Sequence, residues 1–285
     1  MAQTVKIISD STCDLSKDLL EKYDIAILPL HILLGETEYR DGVDITPEEI
    51  FRWSDENKTT PKTSAPSMTE AMEVMKPFLD EGREIICFSI SDSMSTSGNV
   101  MRLAAEELEA SDRVTVINSA NLSTGIGLQV IQAALLSAEG KTRAQITAAI
   151  EEIRPRVRAS FTVDTLTYLY RGGRCNAVAA LAGTMLKLHP RIVVEDGAMD
   201  ASKKYRGKLS SVILSYTKDM EDDLKNAVPD RVFITHSGCD REIVESVHSY
   251  LESLGIFNEI LETRAGGVIS SHCGPGTLGV LFIEK

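Results

Sequence analysis

The sequence lacks the features that would mark a membrane-bound or exported chain. No apolar run approaches the ~20 residues that a membrane-spanning helix needs. Residues 1–6 lead directly into a strand pattern, with neither the apolar core of a secretory signal nor an Arg-rich amphipathic start. We therefore expect a cytoplasmic protein without stable membrane insertion.

Patterns typical of metal and nucleotide sites are also missing. The five cysteines are odd in number and no two form a C-x-x-C pair, which argues against a zinc site or a disulfide framework. Neither H-x-x-x-H nor H-E-x-x-H occurs, and no G-x-x-x-x-G-K-[ST] loop is present. We predict no metal and no cofactor held by this chain.

Positive charge is in short supply. Against 42 Asp and Glu the chain has 30 Lys and Arg, which gives a formal net charge of −12 and a pI near 5.0. Nucleic-acid binding depends on neutralising phosphates, so we expect no nucleic-acid partner. The remaining composition, 43% apolar and 25% charged over 285 residues, is typical of a globular protein of about two domains.

The order of predicted elements indicates an α/β fold that changes character near Pro155. Before it, strands such as Val5–Ser9, Glu84–Phe88 and Val114–Asn118 alternate with helices, which predicts a doubly wound, mostly parallel sheet. After it, Asp196-Gly197 predicts an antiparallel hairpin. We predict an N-terminal α/β domain at 1–156 and a C-terminal α/β domain with antiparallel strands at 157–285.

Local signals define several further elements. Capping boxes predict helix starts at Thr46 with Glu49, Ser67 with Glu70, and Thr142 with Gln145. Residues 58–67 and 266–277 are expected to be loops and 208–227 one long helix. Residues 177–186 are expected to form a buried helix or to line a cavity. Gly125 and Gly127 suggest a close backbone approach, which we place against the serine-rich loop described next.

The stretch 89–99, SISDSMSTSGN, combines a preceding apolar strand with a following helix. Its hydroxyl side chains therefore lie beside free N–H groups at a helix N-terminus, where an oxyanion is stabilised. One serine could instead simply cap the helix.

Other segments supply further polar groups. These are the acidic turn Asp10–Asp14 after the first strand, Thr63-Ser64 ahead of a helix start, Arg171 and Arg174 around a glycine pair, and His272 in a Gly-rich stretch. The arginines could clamp an anion, be solvated, or pair with acidic residues of the chain. Ser95, His272 and Asp10 could also form a hydrolytic triad, although no G-x-S-x-G elbow occurs.

Taken together, these motifs resemble the DegV family, whose members are similar to the fatty-acid-binding subunit of bacterial fatty acid kinase. The resemblance runs from end to end of the chain. It rests on five motifs in order: DSTCD at 10–14, TSAPS at 63–67, the serine-rich loop at 91–97, GGR at 172–174 and HCGPGT at 272–277.

This resemblance implies two α/β domains with one long-chain fatty acid in a cleft between them. By position, Thr63, Ser64 and Ser95 match the hydroxyls that bind the carboxylate, and His272 lies beside them. Arg174 matches an arginine expected to serve partner docking or phosphate handling rather than lipid binding.

One position departs from the family pattern. The family loop often reads S-G-T-Y, but here Thr96 follows Ser95 and the glycine comes later, at Gly98. We therefore include Thr96 in the predicted carboxylate site and leave open whether Ser93 or Ser97 shares the role of Ser95.

The resemblance further implies a non-catalytic carrier. It would present the fatty acid's carboxyl to a separate kinase subunit, which brings its own ATP and magnesium and forms an acyl phosphate for phospholipid synthesis. Two alternatives remain: a serine hydrolase acting on acyl esters, and a lipid-sensing module without a kinase partner. The sequence does not determine the acyl chain length or the oligomeric state.

Overall fold

The computed structural model describes residues 4–174 and 188–285. Within these ranges the strands are β1 (Val5–Asp10), β2 (Ile25–Leu28), β3 (His31–Leu34), β4 (Thr37–Arg40), β5 (Lys62–Ser64), β6 (Glu84–Ser89), β7 (Val114–Asn118), β8 (Val157–Thr162), β9 (Leu188–Glu195), β10 (Ala198–Arg206), β11 (Ala227–Ser237), β12 (Glu259–Arg264) and β13 (Thr277–Glu284).

The helices in the same ranges are α1 (Lys17–Lys22), α2 (Pro47–Asn57), α3 (Met68–Asp80), α4 (Ser97–Glu107), α5 (Thr124–Ala138), α6 (Arg143–Ile153), α7 (Thr167–Gly172), α8 (Leu209–Lys218), α9 (Glu221–Lys225), α10 (Arg241–Ser253) and α11 (Gly267–Cys273). None of these helices is both long enough and apolar enough to cross a membrane. The three predicted capping boxes are all present.

A four-stranded parallel sheet with the order β2-β1-β6-β7 organises the first half of the chain. Helices α3 and α4 pack on one face, and α5 and α6 pack on the other. The carboxyl ends of β1, β6 and β7 lie at one edge, where they place Asp10, Ser89 and Asn118 close together. Ligands of open α/β sheets bind at such an edge.

The second half forms a six-stranded sheet, β10-β9-β8-β13-β11-β12, with antiparallel pairing except between β11 and β12. The predicted hairpin at Asp196-Gly197 joins β9 to β10. Both turn residues have positive φ, 49° and 78°, which suits glycine and is tolerated by aspartate. The predicted mixed α/β fold with two domains is confirmed.

A small antiparallel sheet, β4-β3-β5, corrects one prediction. The loop expected at 58–67 contains strand β5, because Thr63 pairs with Ile32 and Ser64 with His31. Three residues of polar sequence carry no strand periodicity, so this strand depends on the partner that tertiary structure provides.

Helix α5 joins the two large sheets. It is buried along most of its length and contacts β1 and β6 on one side and β8 and β13 on the other. One hydrophobic cluster therefore runs from Ile7 and Ile86 to Phe161 and Ile192. A continuous core of this kind fixes the two sheets relative to each other.

The glycines at the start of α5 approach a different segment from the one predicted. A Cβ on Gly127 would lie 2.8 Å from Leu15 Cδ2 and 3.0 Å from the Cys13 carbonyl oxygen, and one on Gly125 would lie 2.0 Å from Asn121 Oδ1. The close contacts are thus with the segment after β1 and with the turn before α5, and not with the serine-rich loop.

The long helix predicted at 208–227 is wrong. The chain forms α8 and α9, separated at Asp219 and Met220, with β11 starting at Ala227. Asp219 accepts hydrogen bonds from Lys203 Nζ (2.6 Å) and Tyr205 Oη (2.7 Å) on β10, and the Met220 side chain is buried. These contacts, distant in sequence, end the helix. The buried helix predicted at 177–186 lies outside the described residues.

The loop predicted at 266–277 is also wrong, because residues 267–273 form helix α11. Its first N–H groups are bound by side chains from far away in the sequence. Gly266 N donates to Asp14 Oδ1 (2.8 Å), and Gly267 N donates to Asp41 Oδ1 (2.7 Å). The two carboxylates at the N-terminus of α11 accept hydrogen bonds from backbone N–H groups that have no partner within the helix, and their negative charge complements the helix dipole. They explain why α11 forms although its own sequence has no capping side chain.

Candidate ligand-binding site

All six residues predicted for the site line one cavity of about 490 Å³. They come from separate parts of the chain: β5, the loop after β6, the segment after α7, and α11. These residues are Thr63, Ser64, Ser95, Thr96, Arg174 and His272. A volume of this size is in the range of about 300–1,000 Å³ that is typical of small-molecule sites.

Most hydroxyls of the serine-rich loop are engaged in holding the loop. Ser91 Oγ donates to the Gly197 carbonyl oxygen (2.7 Å), and Ser93 Oγ donates to the same oxygen. Ser97 Oγ donates to Asp10 Oδ2 (2.9 Å) and does not line the cavity. These bonds fasten the loop to the β9–β10 hairpin and to β1.

Ser95 differs from its neighbours. Its Oγ accepts a hydrogen bond from Ser97 N (3.2 Å), so the hydroxyl proton remains available to a ligand in the cavity. Ser93 Oγ and Ser97 Oγ instead donate to Gly197 and Asp10, so Ser95 is better placed than either to donate to a ligand in the cavity.

Thr96 occupies the position where the family often has glycine, and the structure accommodates it. Its φ of −92° and ψ of 9° are open to any residue, and its side chain is exposed at the start of α4. The close approach occurs at Gly98 instead, where a Cβ would lie 2.6 Å from Ser89 Oγ.

His272 is hydrogen-bonded to Thr63 in the lining of the cavity, with Nε2 2.8 Å from Thr63 Oγ1. Its Nδ1 is buried and has no hydrogen-bond partner among residues 4–174 and 188–285. Burial, with a smaller contribution from the Arg174 cation, lowers the pKa of His272 to about 4. The imidazole is therefore neutral near pH 7 and acts through hydrogen bonding rather than through charge.

The glycine pair before Arg174 brings α7 against this histidine. A Cβ on Gly172 would lie 2.4 Å from His272 Nδ1, so only glycine lets the two helices approach this closely. Arg174 itself is exposed, and its Nη1 donates to the Gly172 carbonyl oxygen (2.7 Å). Its guanidinium thus lies at the mouth of the cavity.

The acidic turn after β1 plays a structural part. Asp10 is fully buried and accepts hydrogen bonds from Ile90 N (2.8 Å), from Ser97 Oγ and from Thr12. None of its hydrogen bonds within the described chain goes to His272. The triad of Ser95, His272 and Asp10 is therefore not formed.

Sequence reasoning missed the anchoring role of Asp41. This buried carboxylate holds the N-terminus of α11, which ends at the site, and it accepts a hydrogen bond from Ser11 Oγ (2.8 Å). Burial raises its pKa to about 6. In the sequence, Asp41-Gly42 shows only a turn signal, so no local pattern reveals this contact.

The apolar walls of the cavity were also not predicted. They are formed by Leu30, Ile90, Met94, Leu122, Met199, Val268 and Ile269. A smaller space of about 20 Å³ adjoins the cavity and shares Leu122, Ile269 and Cys273 with it. The site thus combines hydroxyls and one imidazole with apolar side chains, most of which are more buried than the hydroxyl-bearing residues.

The site can be compared with known proteins. A family model described as an uncharacterised protein of the DegV family matches residues 4–285. A DegV domain-containing protein from Clostridium perfringens is 32% identical over 99% of both chains. Another, from Caldanaerobacter subterraneus, is 30% identical over 99% of this chain and 100% of its own length.

Solved structures show the same fold. A DegV family protein from Thermus thermophilus, described as fatty acid binding, superposes with a TM-score of 0.91 at 31% identity and covers 99% of this chain and 100% of its own. A protein from Eubacterium ventriosum described as stearic-acid-binding gives a TM-score of 0.85 at 32% identity, covering 99% of this chain and 98% of its own.

Proposed function

The chain belongs to the DegV family, and from this membership we propose that it is a carrier for a long-chain fatty acid. The carboxylate would be held by Thr63, Ser64, Ser95, Thr96 and His272, and the acyl chain would lie against the apolar walls. The observation that carries this proposal is one cavity lined both by hydroxyl side chains and by buried apolar side chains.

The energetics suit such a ligand. A sixteen-carbon acid buries about fourteen methylenes at roughly 0.8 kcal/mol each, on the order of 11 kcal/mol before the costs of association and ordering. Since removing the carboxylate from water offsets much of its hydrogen bonding, the hydroxyls and the neutral His272 add less to the affinity than the buried acyl chain does.

The carrier would act with a partner. We propose that a separate fatty acid kinase subunit, with its own ATP and magnesium, phosphorylates the presented carboxyl to an acyl phosphate for phospholipid synthesis in the cytoplasm. The exposed guanidinium of Arg174 at the cavity mouth is placed to meet such a partner or the transferred phosphate. This chain would supply no catalytic residue of its own.

A serine hydrolase fits the site less well. The described hydrogen bond of His272 Nε2 is to Thr63, and the imidazole is a weak base because its pKa is lowered to about 4. A general base works best with a pKa near the operating pH.

Mass spectrometry of an organic extract of the purified protein tests the lipid proposal directly. We expect a long-chain fatty acid at nearly one equivalent per chain. A well-folded protein whose extract contains no fatty acid would count against it. Acyl phosphate formation, measured with and without a fatty acid kinase subunit, separates a carrier from a lipid sensor that has no kinase partner.

Substitution of Thr63 tests the head-group site. We expect Thr63→Val, which keeps the shape but removes the hydroxyl, to weaken palmitate binding about tenfold, as loss of a hydrogen bond to a charged group does. Thr63→Ser retains the hydroxyl and is the matched control. Equal dissociation constants for the two variants in a calorimetric titration would show that this hydroxyl does not hold the carboxylate.

A further inference from the structure

His31, at the start of β3, lies between two carboxylates. Its Nδ1 is 2.7 Å from Glu38 Oε1 on β4, and its Nε2 is 2.9 Å from Glu70 Oε1 on α3. An ionised carboxylate only accepts hydrogen bonds, so both ring nitrogens have to donate. A neutral imidazole has one N–H, and only the imidazolium satisfies both contacts.

The charged groups around this side chain favour the imidazolium. Glu38 and Glu70 contact the ring directly. Arg40 lies opposite His31 in the β3–β4 pairing. Its positive charge is balanced by an ion pair with Asp44 (2.9 Å), so it opposes protonation of His31 less than an unpaired cation would. Strand β5 contributes Ser64, which does not titrate. The pKa of His31 is raised by its hydrogen bonds to Glu38 and Glu70, which outweigh the opposing effect of its partial burial.

The contact with Glu70 connects His31 to the candidate site. Glu70 Oε2 accepts hydrogen bonds from Ser67 N (2.8 Å) and Ser67 Oγ (2.7 Å) in the capping box of α3, while its Oε1 faces His31. Ser64 at the other end of this short loop is paired with the backbone of His31. His31 therefore holds both ends of the segment 64–67.

We call residues 63–67 the TSAPS loop. This loop lines the cavity through Thr63, Ser64 and Ala65. Within it, Ser64 pairs with the backbone of His31, and Ser67 is connected to the His31 side chain through Glu70. If the ring loses its proton, one of the two carboxylates faces a nitrogen lone pair; in the tautomer that keeps its proton on Nδ1, the bond from Nε2 to Glu70, which ties α3 to β3, is lost.

We infer that His31 is a positioning residue whose imidazolium, held between Glu38 and Glu70, keeps the TSAPS loop in the geometry that receives the ligand's carboxylate. The inference about ligand affinity rests on the proposed lipid binding, whereas the holding of the loop does not. We call the two hydrogen bonds from His31 to Glu38 and Glu70 the His31 clamp. Because the pKa of His31 is raised in the folded protein, the clamp is complete at lower pH and is lost as pH rises through that pKa.

The first experiment follows palmitate binding to delipidated protein at about pH 6.5 and about pH 8.5. For the wild type we expect the dissociation constant to rise about fivefold at the higher pH, at the low end of usual coupling between sites. His31→Gln should bind with nearly the same, weaker affinity at both values. The matched control is His248→Gln on α10, which should keep the wild-type profile. Parallel profiles for the wild type and His31→Gln would overturn the inference.

The second experiment needs no ligand. We expect the His31 ring, followed by NMR, to titrate above 6.5, and amide protection in 64–67 to be lower in His31→Gln than in the wild type at the same pH. Glu38→Gln, at an exposed position, should lower the pKa of His31 and move the binding profile to lower pH. Titration of His31 at or below 6.5, or unchanged protection, would refute the role.

The two proposals fail in different ways. If the wild type binds no palmitate at either pH but His31 titrates above 6.5 and protects the loop, the lipid proposal falls and the clamp stands. If palmitate binds with a pH profile that His31→Gln leaves unchanged, the lipid proposal stands and the clamp falls.

Discussion

At the scale of single residues, three buried aspartates decide how the cavity is built. Asp10 holds the serine-rich loop, and Asp14 and Asp41 hold the start of α11. Asp14 also accepts a hydrogen bond from Ser123 Oγ (2.6 Å) before α5. Burial raises the pKa of all three carboxyls, although their hydrogen bonds oppose that rise.

The titration of Asp41 gives a prediction with a definite sign. Its pKa is about 6 in the folded protein against 3.8 ordinarily. Between these two pH values the folded state therefore holds a proton on Asp41 that the unfolded state has released. The free energy of unfolding of the wild type, minus that of Asp41→Asn, should therefore fall by on the order of 3 kcal/mol as pH rises from about 4 to about 7. Urea unfolding of both proteins across this range measures the difference.

Asp44 provides the matched control for that experiment. It is exposed and paired with Arg40, and its hydrogen bonds from Arg40 lower its pKa. The stability that it contributes is present above its unfolded pKa and is lost as pH falls. The free energy of unfolding of the wild type, minus that of Asp44→Asn, should consequently rise with pH, whereas the corresponding difference for Asp41 falls. If both differences in unfolding free energy changed with pH in the same direction, the raised pKa assigned to Asp41 would be contradicted.

At the scale of elements, the approach of α7 to α11 is decided by one glycine. Helix propensity alone predicts that Gly172→Ala would stabilise α7 by about 0.5–1 kcal/mol. We expect the reverse, because the new Cβ would collide with His272 Nδ1 and displace the ring from Thr63. Palmitate affinity should fall about tenfold, and thermal unfolding should occur at a lower temperature.

The control for this substitution separates stability from the site. Gly82→Ala places a side chain at a φ of +78° with no atom within 4 Å of the new Cβ, and Gly82 is not among the residues that line the cavity. It should cost about 1–2 kcal/mol of stability and leave palmitate affinity unchanged. An equal loss of affinity in both variants would show that Gly172 acts only through stability.

Local sequence predicted the elements whose causes are local. The three capping boxes fix the starts of α2, α3 and α6 within a few residues, and Asp196-Gly197 fixes the hairpin. Strand β5, helix α11 and the break between α8 and α9 were missed. Each depends on hydrogen bonds to partners distant in the sequence.

At the scale of the whole molecule, the cavity joins segments of both halves of the chain. Ser95 and Leu122 belong to the part before Pro155, and Met199 and His272 to the part after it. A ligand that contacts all of them stabilises the assembled state by mass action, because the unfolded chain presents no such cavity.

Ligand binding should therefore raise the unfolding temperature of the whole molecule. At a palmitate concentration about 1,000 times the dissociation constant, the gain is about 4.1 kcal/mol. Hexadecanol, which has the same chain and no carboxylate, should give a smaller gain if Thr63, Ser95 and His272 recognise the charged head group. Scanning calorimetry measures both, and an equal shift would mean that the apolar walls alone select the ligand.

The sequence by itself determined the family, the α/β class and the candidate head-group residues. Its polar motifs are contiguous, so 63–67, 91–97 and 272–277 can be recognised without knowing where they meet. The cytoplasmic location, the domain boundary at 156–157 and the kinase partner stay predictions.

Tertiary structure decided which of these hydroxyls remain able to donate to a ligand in the cavity. Ser91, Ser93 and Ser97 look equivalent to Ser95 in the sequence, but their hydroxyls bind Gly197 and Asp10. The apolar walls also come from segments far apart in the chain. A hydrogen bond or a buried wall requires two groups at one point in space, and only the folded chain sets that distance.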